Sequence, residues 1–140
     1  MMLDRALRIA VKAHRGQREG HGLPYAFHPI RIMLRMRRDD ERIVALLHDV
    51  VEHTDWTLKD LRKEGFSGRI VRAVDRLTKR TGEAYDDYIA RVRPDRLARA
   101  VKIGDLLDNI EQCRGPRPTT DDRGRIAKYR AALRRLRPRR

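Results

Sequence analysis

The chain holds one cysteine, Cys113, so no internal disulfide can brace it. Aromatic residues make up only 5% of the sequence, and the basic tail RRLRPRR (134–140) has none, so it lacks the interleaved rings of a single-strand stacking platform. No apolar run approaches the length needed to span a bilayer, which argues against a membrane protein. Asp4 and Arg5 interrupt the start before any signal-like apolar core forms, so the expected location is the cytoplasm. No stretch alternates with period two for long enough to make a strand, and there is no internal repeat or low-complexity linker. What remains is an all-α reading.

The 140 residues, 40% hydrophobic, suffice for one domain spanning 1–140, with disorder expected at most in the tail 134–140. Lysine and arginine number 34 against 20 acids, a net charge of +14. That excess suits an anionic partner such as a phosphorylated metabolite. It equally suits an arginine-rich composition that decorates every solvated face, so any nucleic-acid binding is expected to be nonspecific.

Apolar residues recur at helical spacing almost throughout. Leu3, Ala6, Leu7, Ala10, Val11 and His14 predict a helix over 3 to about 17 whose buried stripe ends in a histidine. Gly16, Gly20, Gly22 and Pro24 break it, making 16–27 the candidate mobile or ligand-touching loop. His28 before Pro29 is expected at the N-cap of a second helix running to about 37. Asp39 or Asp40 then caps the stretch containing ALLHDVVEHTD (45–55), read as one mostly buried helix bearing a polar notch of His48, Asp49 and Glu52. Short helices are expected over 57–64, from Ser67, and over 83–92. A long helix from Pro94 and Asp95 to about 112 carries Gly104, a mark of close packing, and Asp105, which falls about 40° from Val101. A basic helix starting near Thr120 ends the chain.

Buried ionisable groups are costly unless paired or bound to a metal. His28, His48, Asp49 and Asp105 make a mixed nitrogen and oxygen set suited to one borderline divalent ion such as manganese, iron, cobalt or zinc. Such an ion can activate water for attack on phosphorus. Glu52, one turn on, is placed to orient or deprotonate that water. Arg15, Arg18 and Lys102 are candidate phosphate contacts.

The order FHPI, LLHDVVEHT and VKIGDLLDN resembles the HD superfamily of metal-dependent phosphohydrolases. The fuller series AHRGQ, PYAFHPI, HDVVEHT, LTKRTGEAYDDYIARV and VKIGDLLDN resembles the hydrolase domain of the RelA/SpoT proteins and the small alarmone hydrolases, across nearly the whole chain. The resemblance implies a compact bundle of about six to eight helices and an enzyme that removes pyrophosphate from the 3′ position of (p)ppGpp. It implies His28, His48, Asp49 and Asp105 as manganese ligands, Glu52 as the acid of a catalytic pair, Asn109 as a nucleotide contact and Tyr85 as a neighbour of ribose or phosphate. The chain departs from the family at His53, which stands where the pair's second acid is usual and remains a catalytic candidate able to transfer a proton near neutral pH, and at Glu19, where an arginine usually meets the guanine. Leu106 and Asp108 replace a frequent arginine and histidine. Another nucleotide, such as NADPH or a nucleoside phosphate, and a non-catalytic alarmone- or nucleic-acid-binding module are the alternatives.

Overall fold

A computed structural model describes residues 1–137, and these form nine helices and no strand. They are α1 (Met2–Ala13), α2 (Phe27–Arg35), α3 (Asp39–Leu47), α4 (Val50–His53), α5 (Leu58–Lys63), α6 (Gly68–Leu77), α7 (Tyr85–Val92), α8 (Arg96–Cys113) and α9 (Thr120–Leu136). No helix among the described residues is long and apolar enough to cross a membrane.

The helix starts follow local chemistry. Thr57 and Asp60 close a capping box on α5, Ser67 accepts from the Ile70 amide on α6, and Asp95 accepts from the amides of Leu97 and Ala98 on α8. Helix α9 starts at Thr120, as expected, and its cap is Thr119, because Asp122 lies three residues on and returns the bond to the Thr119 amide. Gly65, at φ +95°, ends the α5 region in the left-handed conformation that glycine tolerates best.

Helix α8 is the axis of the bundle, packing against α9, α2, α3, α6 and α7. Gly104 sits where α8 meets α2: a Cβ there would come within 2.9 Å of Met36 Cε and 3.2 Å of Ile32 Cγ2. The absent side chain sets this approach. Because α8 is enclosed, Lys102, Asp105 and Asp108 are buried beside its apolar residues, and its inward side is wider than the stripe read from the sequence. Helix α3 buries Ile43, Val44, Ala45, Leu46 and Leu47, as expected of a helix apolar around most of its circumference.

Five expectations change. At α3 the N-cap is Arg38, and Asp39 and Asp40 lie in the first turn of the helix. The stretch 45–55 is not one helix: α3 stops at Leu47, His48 and Asp49 occupy a turn, and α4 resumes at Val50, which also raises the helix number above eight. His28 lies within the first turn of α2 and Ala26 is the N-cap, since the helix already starts at Phe27. Helix α1 ends at Ala13 and buries Ala6, Ile9 and Ala10, while Leu7 and Val11 stay exposed; α1 leans chiefly on α3, and its alanines allow a narrow, close contact. Arg134, Arg135 and Leu136 are helical, with Leu133 and Leu136 anchored in the core, so the disorder expected of 134–140 does not hold there; 138–140 lie outside the described residues.

Candidate metal centre and catalytic cleft

The first turn of α2, the α3–α4 turn and the middle of α8 bring together the four side chains singled out as metal ligands. His28 Nε2 lies 2.9 Å from Asp105 Oδ1 and 3.8 Å from Asp49 Oδ2. His48 Nε2 lies 3.1 Å from Asp49 Oδ2 and 3.6 Å from Asp105 Oδ1. His28, His48 and Asp105 are each no more than 5% exposed.

His48 and Asp49 occupy the turn between α3 and α4, with backbone still in the right-handed helical region (Asp49 φ −104°, ψ −4°), and both side chains reach the same centre.

Each imidazole is anchored by its other nitrogen. His48 Nδ1 is 2.6 Å from the Ala45 carbonyl, and His28 Nδ1 is 2.7 Å from Asp108 Oδ2. Both Nε2 atoms therefore face the carboxylates, and His48 Nε2 is buried without a well-directed hydrogen bond. A buried ring nitrogen left orphaned among two carboxylates and a second imidazole is the state that a divalent cation would satisfy. The donor set fits such an ion. Among the described residues, His28, His48 and Asp49 gather donor atoms within 4.8 Å of one another, and two other triads do so but suit an ion less. Arg31 binds both Glu19 and Asp108 in one, and the oxygens of Glu52 are taken by His53 and the Lys79 amide in the other.

Lys102 Nζ contacts Asp105 Oδ2 at 2.7 Å, leaving Oδ1 turned to the imidazoles. Burial disfavours the lysine's charge, but Asp105 outweighs it and holds the ammonium above the usual lysine value. Burial likewise opposes protonation of His28, yet hydrogen bonds to Asp105 and Asp108 lift it to about 9. Tyr25, not anticipated from the sequence, donates its hydroxyl to Asp49 Oδ2. Burial and the Asp49 charge push its phenol well above the ordinary value.

A cleft of about 440 Å³ opens over the centre, lined by Glu52, His53, Tyr85, Asn109 and the lysines 79, 102 and 128. Glu52 accepts from the Lys79 amide at 2.7 Å and lies 2.9 Å from His53 Nε2. Desolvation works to raise its carboxyl, but the bonds to His53 and Lys79 prevail and hold it below the usual value. The same Glu52 contact raises His53. The shared proton therefore rests on the histidine.

A second lobe, about 700 Å³, is lined by Arg18, Glu19, Gly20, His21, Gln112 and Arg125 among others. The two lobes share Tyr25, His28, Asn109 and Tyr129. Asn109 Nδ2 is 3.4 Å from Asp105 Oδ1. Arg18 donates to the Gly22 carbonyl at 2.8 Å, and Arg15 is exposed and lines neither lobe. Tyr85 has its hydroxyl buried without a partner, with Lys128 Nζ 4.0 Å from its ring centroid. Lys79 and Lys128 were not singled out because nothing local separates them from 34 basic residues. Much of that charge lies elsewhere: Arg93, Arg99, Arg134 and Arg135 line a different cleft between α7 and α9.

No family model matches the chain. It is 32% identical over 121 residues to a guanosine-3′,5′-bis(diphosphate) 3′-pyrophosphohydrolase of Aquifex aeolicus, and 33% over 135 residues to one of Haemophilus influenzae. It is also 33% identical over 125 residues to a GTP pyrophosphokinase of Streptomyces coelicolor. These matches cover 78%, 86% and 80% of this chain but only 17%, 20% and 15% of those proteins. A solved structure described as a metazoan ortholog of SpoT that hydrolyzes ppGpp superposes with a TM-score of 0.77 at 24% identity, covering 96% of this chain and 83% of that one. Similarity to these sequences, together with the shared fold, marks the chain as an HD-type domain of the RelA/SpoT hydrolase-like kind.

Proposed function

We propose that the chain, acting as one domain in the cytoplasm, is a manganese-dependent hydrolase that removes the 3′ pyrophosphate of (p)ppGpp. The observation that carries the reading is the convergence of His28 Nε2, His48 Nε2, Asp49 Oδ2 and Asp105 Oδ1, with both Nδ1 atoms tied back. The names borne by the relatives from Aquifex and Haemophilus support the substrate. Two nitrogen and two oxygen donors, with no thiolate, support manganese or a similar borderline ion. When bound, the ion supplies Lewis acidity and neutralises charge at the phosphoryl group.

The chain's own residues do the rest. Lys79, Lys102 and Lys128 surround the phosphates with positive charge. Glu52, ionised by its two hydrogen bonds, accepts a proton from the attacking water. The bond from phosphorus to the ribose 3′ oxygen breaks, and the water oxygen joins the released pyrophosphate. His53, holding a proton against Glu52, supplies it to the ribose oxygen. Asn109 and Tyr129, common to both lobes, hold the nucleoside so that the second lobe takes the base.

The test is to incubate manganese-loaded protein with ppGpp, GTP and NADPH and to follow pyrophosphate and phosphate separately. Pyrophosphate from ppGpp is expected. Phosphate alone, or turnover of NADPH and not ppGpp, would overturn the substrate.

A further inference from the structure

Two departures from the family pattern, Glu19 and Asp108, lie 89 positions apart in sequence and meet at one side chain, Arg31. The Arg31 guanidinium donates through Nε to Asp108 Oδ1 at 2.8 Å and through Nη2 to Asp108 Oδ2 at 3.0 Å. It also grips Glu19 through two donors, one of them Nη1 to Oε2 at 3.0 Å. Asp108, 1% exposed, in turn binds His28 Nδ1 at 2.7 Å. Glu19 belongs to a loop folded on itself, with Arg18 bridging to Pro24 and the Glu19 amide bonded to the Leu23 carbonyl at 2.9 Å. A continuous chain of charge-assisted bonds thus runs from the loop to the outer nitrogen of His28.

We infer that Glu19 and Arg31 are positioning residues that couple the order of the 16–26 loop to metal affinity at His28. The inference rests on the metal reading above. Asp108 fixes the tautomer and ring angle that aim His28 Nε2 at the other donors. Two parallel bonds from Arg31 fix Asp108 itself, and Glu19 supplies the opposing charge that keeps Arg31 in place. Coupling between two sites is reciprocal. A metal that tightens His28 therefore orders the loop over the second lobe, and a ligand that draws the loop closed strengthens metal binding.

Charge alone predicts the opposite sign at one position. Removing a cation near a metal site should strengthen binding of a divalent ion, whereas removing the tether weakens it. Manganese affinity is measured by titration calorimetry on the metal-free protein, with hydrogen exchange of residues 16–26 followed with and without the ion. Arg31→Met is expected to weaken binding roughly tenfold, at the low end for losing an outer partner of a metal ligand. Glu19→Gln, a change outside any helix, weakens it less, and has no further effect when added to Arg31→Met. Manganese slows exchange in the wild-type loop and does not do so in Arg31→Met. Wild-type affinity in both single variants, or tighter binding in Arg31→Met, overturns the coupling while leaving the metal site intact. Failure of the wild type to bind manganese overturns the metal reading and the coupling with it.

Discussion

The two lobes that meet at His28 and Asn109 are built on different principles. The metal-side lobe has a floor of buried charged groups on α2 and α8, His28 and Asp105 each 5% and Lys102 9% exposed, with Glu52, His53, Lys79 and Lys128 exposed around its rim. The other lobe is walled partly by the 16–26 loop, whose charged side chains reach backbone carbonyls or one another, as Arg18 does to Gly22 and Glu19 to Arg31 and His21. A buried charge that loses its partner costs several kcal/mol, whereas an exposed pair is worth about 0–1 kcal/mol. The buried floor of the metal side therefore admits few substitutions. At the loop side the departures at Glu19 and Asp108 are themselves largely buried and meet through a third residue, Arg31, so each has a charged partner.

The sharpest break in this contrast is Asp105→Asn. Losing one carboxylate charge among two imidazoles and Lys102 should abolish turnover and weaken manganese binding by more than the roughly 10–100-fold typical of losing an outer partner; calorimetry and pyrophosphate release check both. Glu52→Gln should come next. It keeps the shape and the ion and removes the proton acceptor, so kcat should fall roughly 10²–10⁴-fold with manganese affinity near that of the wild type. Lys128→Ala removes one cation from the phosphate side. A lost charge-assisted contact of roughly 1.5–3 kcal/mol should appear in steady-state kinetics as a raised KM with little change in kcat.

Arg18→Ala sharpens the comparison from the other lobe: with its guanidinium already given to the Gly22 carbonyl, its loss should raise KM less than the loss of Lys128 does. The smallest effect lies outside both lobes. Glu83, hydrogen-bonded by Arg91 and the Arg80 amide, has its carboxyl lowered to about 2. The folded state thus favours the ionised form, and the stability this contributes is present above the ordinary glutamate range and lost as pH falls toward 2. Denaturation midpoints between pH 5 and 3 should fall less steeply in Glu83→Gln than in the wild type.

Much of the architecture was legible because its causes are local. Thr57 with Asp60, Ser67, and Asp95 announce helix starts through side chains that satisfy nearby amides. Gly104 announced a close helix contact, which Ile32 and Met36 supply. The His28, His48, Asp49 and Asp105 set was legible as polar residues on otherwise apolar helices, but the route to it was misread. Helical periodicity carries no sign of the turn that His48 and Asp49 occupy between α3 and α4. Tyr25, Lys79 and Lys128 were not found, since their roles depend on segments distant in sequence.

By itself, then, the sequence determined helical content, the caps of α5, α6 and α8, and a set of candidate donor residues, because these follow from periodicity and from hydrogen bonds a few residues long. Only the tertiary structure decided that both imidazoles present Nε2 to the same two carboxylates, that Asp108 and Ala45 hold them so, and that the loop reaches His28 through Arg31. Apart from the local bond of His48 to the Ala45 carbonyl, those are contacts between side chains up to 80 residues apart. Their geometry is set by how α2, α3 and α9 pack around α8, which no local pattern encodes.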